Sequence, residues 1–155
     1  MAARGMAHWP WQGNDVDALP PAERLVLDVI RRWHYAARTR RPCVPELRLL
    51  LATEGAAAVA PALDALLRLA PSAGLGCGFC PRVTPDEAAL LLLCALAQRG
   101  ARSEALAAAL RILPLDAAQA ALPAAVTAGA GLRQAGQLLR HPLRQALRSP
   151  AAPRG

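Results

Sequence analysis

The chain contains no lysine, only 3% aromatic residues and almost no isoleucine. With so few β-branched and aromatic side chains, and no run that alternates apolar with polar positions, strands have little to be built from. The core has to come from Ala, Leu and Val, which dominate the 54% hydrophobic content and favour closely packed helices. The longest apolar run, 88–97, is about half the roughly 20 residues a membrane span needs. Residues 1–14 hold no apolar targeting core, and four cysteines in 155 residues are too few and too unevenly placed for a secreted disulfide scaffold. The expectation is a cytoplasmic chain with reduced thiols and no transmembrane segment.

Catalytic residue types are also scarce. Ser72, Ser103 and Ser149 are the only serines, and none lies in a nucleophile elbow. His8, His34 and His141 show no helical metal spacing. Glu23, Glu46, Asp86, Glu87, Glu104 and Asp116 fall mostly at helix starts, and phosphate loops and dinucleotide fingerprints are absent. An enzyme is not expected.

What the chain does have is arginine. The net charge of +7 comes from 18 arginines against 11 carboxylates. Heavy use of Ala, Arg, Gly and Pro is typical of GC-rich coding, so the sign of the charge alone does not point to nucleic acid. Clustering is more informative. Arg38, Arg40 and Arg41 close the first predicted helix, and Arg140, Arg144 and Arg148 recur beside Leu139, Leu143 and Leu147 as a basic amphipathic pattern. Residues 117–155 contain no carboxylate at all.

The chain divides into a flexible leader over 1–19, a helical domain over 20–148 and a disordered tail over 149–155. Trp9 and Trp11 stand out in the leader, as an anchor in a groove of the domain itself or of a partner. The first helix starts at Pro20 and Pro21, with Ala22, Leu25, Val26, Val29, Ile30, Trp33 and Ala37 inward and Glu23, Arg24, Asp28, Arg31, Arg32 and Tyr35 outward. Helices are expected at 45–54, with Gly55 as cap, and at 57–70, beginning effectively near Ala60 because of Pro61.

The best-marked helix covers 85–98. Thr84 is its N-cap, Pro85 its first residue, Glu87 completes a capping box and Gly100 ends it. Its middle is apolar all round, which makes it central. A fifth helix over 103–113 has Leu106, Leu110 and Leu113 inward, and a sixth is capped by Asp116. Pro123 should kink or break this last helix, and Gly129, Gly131 and Gly136 weaken it. The fold expected is an all-α, single-domain orthogonal bundle of about six helices.

One motif carries chemistry: Cys77, Gly78, Phe79 and Cys80 bring two sulfurs together from one tight turn. The leading reading is of simple loop cysteines with no cofactor, and zinc is the candidate set against it. The hairpin of the second and third helices should carry Cys43 to this turn, with His34 as fourth ligand, whereas Cys94 lies too deep in an apolar helix. Over the same four residues the turn is similar to the active-site pattern of thioredoxin-like oxidoreductases, which implies thiol–disulfide exchange. That family places the motif between a strand and a helix, whereas a glycine-rich loop surrounds it here.

A helix-turn-helix is conceivable from the spacing of the first three helices. Its recognition helix, 57–70, would offer only Asp64 and Arg68 as charged groups and little to read base edges. Nonspecific nucleic-acid contact through arginines is the weaker alternative. The leading expectation is a noncatalytic interaction module that binds an acidic protein partner through Arg38, Arg40, Arg41, Arg140, Arg144 and Arg148, with Trp9 and Trp11 as a secondary anchor. A zinc-stapled or thiol-redox-responsive regulator is the competing reading.

Overall fold

Thr84 and Glu87 form the reciprocal cap that their spacing predicts. The Thr84 hydroxyl accepts the Glu87 N–H at 3.2 Å, and the Glu87 carboxylate accepts the Thr84 N–H at 2.9 Å. This fixes the start of a helix over Pro85–Gln98. The computed structural model describes residues 9–70, 72–140 and 142, and within them the chain is all-helical. In chain order the helices are α1 (Pro21–Arg38), α2 (Cys43–Ala52), α3 (Ala60–Leu67), α4 (Pro85–Gln98), α5 (Arg102–Ala109) and α6 (Leu115–Gln134). Short 3-10 turns cover Val16–Ala18, Ala57–Val59 and Ser72–Gly74. No helix among the described residues is long and apolar enough to cross a membrane.

Helix α4 is central, as its apolar circumference requires. It packs against α1, α5 and α6, and its residues are buried from Glu87 to Gln98 with only Leu92 and Leu96 partly exposed. The remaining helices, α2 and α3, reach it through α1 and α6. α1 packs on α2, and α3 packs on α6. Leu27, Ile30, Leu47, Leu51, Leu63, Leu66, Leu90, Leu93 and Leu132 fill the interior. The sharp turn after α2 falls at Gly55, whose φ of 67° is left-handed.

Several expectations need correction. Residues 9–19 are not a loose leader. Trp11, Val16 and Leu19 belong to the core, and Asp15 forms an isolated antiparallel bridge with Arg82. Trp11 is 1% exposed, so it is spent within its own domain and is not offered to a partner, while Trp9 packs on the core beneath the guanidinium of Arg111. Residues 1–8 and the tail 149–155 lie outside the described residues.

Helix α2 begins at Cys43 and ends at Ala52, two residues earlier at each end than expected. Helix α5 stops at Ala109, and its packing face is Ala105, Ala108 and Ala109; Leu110, expected inward, is exposed.

Helix α6 runs unbroken through Pro123, with Pro114 as its N-cap and Asp116 in its first turn. The missing N–H of Pro123 would have met the carbonyl of Gln119. Both residues face solvent, so water can satisfy that oxygen. The glycines have a packing purpose instead of weakening the helix. A Cβ on Gly129 would stand 2.9 Å from the Gln98 backbone, and one on Gly131 would stand 2.7 Å from a Val59 methyl. Small residues here let α6 approach α4 and the turn before α3.

The inward face of α1 is also wider than its apolar spacing indicates. Glu23, Leu27, Arg31 and His34 form a second buried stripe, while Ala37 is exposed and Ala36 is buried.

Candidate functional site

The second stripe of α1 positions the site. Arg31 is 4% exposed and Glu87, at the start of α4, is fully buried. Their contact is two-pronged, with Arg31 Nε to Glu87 Oε1 at 2.9 Å and Nη2 to Oε2 at 3.1 Å. This fork geometry is the strong form of the pair. The remaining capacity of both groups is used on one loop. Arg31 donates to the carbonyls of Cys80 at 2.7 Å and Arg82 at 3.0 Å, and Glu87 also accepts the Gly76 N–H at 2.8 Å. A Cβ on Gly76 would lie 2.8 Å from the Glu87 carboxylate and 3.1 Å from the Arg31 guanidinium, so a side chain there would displace the pair. The pair therefore holds both flanks of the Cys77–Cys80 turn against α1 and α4.

Within the turn the Cys80 N–H donates to the Cys77 carbonyl at 3.1 Å and the Cys77 N–H points at Cys80 Sγ at 3.2 Å. The two sulfurs are 2.9 Å apart. Cys77 is exposed and Cys80 half-buried. The Cys80 thiol and then the Phe79 backbone N–H hydrogen-bond to Cys77 and lower its pKa, with a smaller contribution from the Arg31 charge. The other two thiols go the opposite way. Burial pushes Cys94 up to about 12, and burial also raises Cys43.

The expected ligand cluster does not assemble. Among the described residues no group of three or more His, Cys, Asp or Glu side chains converges on a metal position. Cys43 opens α2, and the Cys77–Cys80 turn is tied to α1 and α4. The hairpin of α2 and α3 does not bring Cys43 into a ligand cluster with the paired sulfurs. His34 is buried on α1 with no partner for its Nδ1, and burial is the main cause of its lowered pKa.

Beside the turn lies a cleft of about 520 Å³ between α1 and α2. Asp28, Arg31, Arg32 and Tyr35 of α1 line it with Arg41, Leu50, Gly78 and Phe79, the Asp28 carboxylate being paired with Arg24. Phe79 is 97% exposed and Tyr35 53%. Arg32 and Arg41 share one carboxylate, Glu46, at 3.7 and 3.4 Å. A second hollow of similar volume, between α6 and the turn before α3, is lined mostly by Ala, Gly and Val, with Thr127 and Gln134 and no charged group.

The end of α1 carries an unusual residue. Four helix ends close with the same pair of crossed bonds, and at Gly55, Gly100 and Gly136 the left-handed position is glycine. At the fourth it is Arg40, with φ 56°; its N–H reaches the Ala37 carbonyl at 3.3 Å and the Arg41 N–H reaches Ala36 at 2.8 Å. A side chain there costs about 1–2 kcal/mol that glycine avoids. Among the described residues neither Arg38 nor Arg40 makes an ion pair.

At the other end of the domain Arg140 is exposed while its N–H donates to the buried Glu23 carboxylate. Arg144 and Arg148 lie outside the described residues. The charged groups of α3 are committed to each other and to α1. Asp64 accepts from Trp33 Nε1 and from Arg68 Nε, both at 2.8 Å. The burial of Arg31 could have been inferred from Leu27, one turn earlier, which falls outside the main apolar stripe.

Compared with models of known protein families, with curated proteins and with solved structures, the chain finds no match.

Proposed function

We propose that the protein is a noncatalytic helical interaction module that binds an acidic protein segment in the cleft between α1, α2 and the Cys77–Cys80 turn. The observation that carries this reading is the composition of the cleft: Arg32 and Arg41 share a single carboxylate beside the exposed rings of Tyr35 and Phe79. Guanidinium forks suit carboxylates bidentately, and arginine with exposed aromatic rings is the residue mix of binding hot spots. Arg38 and Arg40 extend the positive surface at the same helix end. Arg40 keeps its charge in a backbone position that glycine would fill at less strain, and such retained strain is typical of functional positions.

The test is fluorescence anisotropy with a labelled peptide of alternating Glu and Leu, a neutral scrambled peptide and random duplex DNA, each across a salt series. The expected result is binding of the acidic peptide that weakens with salt. Arg32→Ala with Arg41→Ala should abolish it, and Phe79→Ala should weaken it by about 1 kcal/mol or more. Duplex DNA bound more tightly than the peptide would transfer the assignment to nucleic acid. An affinity unmoved by the cleft variants but lost with Arg140→Ala would transfer it to the other end of the domain.

A further inference from the structure

We propose that Cys77 and Cys80 are a reversible dithiol–disulfide site that exchanges with low-molecular-weight disulfides, Cys77 being the attacking thiol and Cys80 the resolving one. The inference stands on the turn itself and does not depend on an acidic partner.

Three observations carry it. The sulfurs, 2.9 Å apart, need less than about 1 Å of closure to reach the roughly 2.05 Å of a disulfide. The backbone around them is fixed from outside, through the Arg31 bonds to the Cys80 and Arg82 carbonyls and the Glu87 bond to the Gly76 N–H, so bonding the sulfurs requires no rearrangement of the helices. The two thiols are also unequal: Cys77 is exposed to an incoming disulfide while Cys80 is half-buried behind it. Of the other cysteines, Cys94 is sealed in the core, and Cys43 is half-buried and forms no three-residue metal-type cluster with the pair.

The chemistry follows from these positions. The Cys77 thiolate attacks one sulfur of a disulfide R–S–S–R. That bond breaks, one RS⁻ leaves and takes a proton from solvent, and a mixed disulfide Cys77–S–S–R remains. Cys80 then gives its proton to solvent and its sulfur attacks Cys77 Sγ. The bond to R breaks, the second RS⁻ leaves, and the Cys77–Cys80 disulfide closes. Two electrons pass from the two thiols to the disulfide, which departs as two RSH molecules. Excess RSH reverses both steps.

The experiment uses the reduced full chain and oxidised glutathione at neutral pH, with acid quenching, alkylation of residual thiols and peptide mass mapping. The expected product is a Cys77–Cys80 disulfide, marked by the loss of two hydrogens, with Cys94 unmodified, and reduced glutathione should restore both thiols. Cys80→Ser should stop at the mixed disulfide on Cys77. Cys77→Ser should slow consumption of the disulfide about tenfold or more. The proposal is overturned by glutathione adducts that accumulate without an internal bond, by Cys80→Ser giving no adduct at Cys77, or by Cys43 reacting faster than Cys77. Each variant exchanges one sulfur for oxygen, at the exposed Cys77 or the half-buried Cys80, and circular dichroism on each separates a chemical loss from a folding loss.

Discussion

Arg31 and Glu87, separated by 56 residues, meet as a buried ion pair that holds both flanks of the Cys77–Cys80 turn. One carboxylate caps α4, pairs with α1 and anchors Gly76, so the start of the central helix and the candidate site share a support. Arg31→Met leaves the Glu87 charge buried without its counterion and should cost about 3–5 kcal/mol in urea unfolding. Adding Glu87→Gln to that variant should recover part of the loss, because the stranded charge is gone. A single-variant loss under about 1 kcal/mol would show the pair to be incidental.

Arg40→Gly separates strain from binding. Relieving the left-handed arginine should raise stability by about 0.5–1 kcal/mol, while affinity for the acidic peptide falls. Thermal melts and anisotropy on the same preparation check both. Higher stability with unchanged affinity would remove Arg40 from the docking surface.

Trp11→Ala tests whether residues 9–19 belong to the folded unit. Its indole is 1% exposed, and deleting it should cost about 3–5 kcal/mol. A mobile leader would lose less than about 0.5 kcal/mol.

His34 should give stability a pH dependence. Burial, and then the charge of Arg38, hold its folded pKa below the ordinary histidine value of about 6.5, against a weaker opposing effect of Glu87. The unfolded chain therefore binds the proton first. Stability that is fully present above about pH 6.5 declines as pH falls and is lost once pH drops through the folded pKa. Unfolding free energies of the parent and His34→Gln between about pH 5.5 and 8 should diverge in that sense, with the parent the more pH-sensitive. Parallel curves would mean that His34 protonates equally in both states.

The helices were largely legible because their signals are local. Thr84, Pro85 and Glu87 mark the α4 cap within four residues, and Gly55 and Gly100 mark two helix ends. The Cys77–Cys80 contact was legible for the same reason, since a two-residue gap in a turn suffices to bring the sulfurs together. Pro123 and Gly129 misled in the other direction. Their helix penalties are real, but they are offset by exposure at Pro123 and by close backbone packing at Gly129, and neither can be read from neighbours in sequence.

By itself the sequence determined the helical class, the central helix and the paired cysteines, because propensity, capping and short-range geometry act over a few residues. The tertiary structure alone decided that Arg31 and Glu23 turn inward, that Trp11 joins the core, and that Cys43 joins no ligand cluster with the other two thiols. The physical reason is that burial of a charge depends on which partner meets it across the core. That partner, Glu87 for Arg31 and the Arg140 backbone for Glu23, comes from a distant segment which only the packed helices bring within hydrogen-bond range.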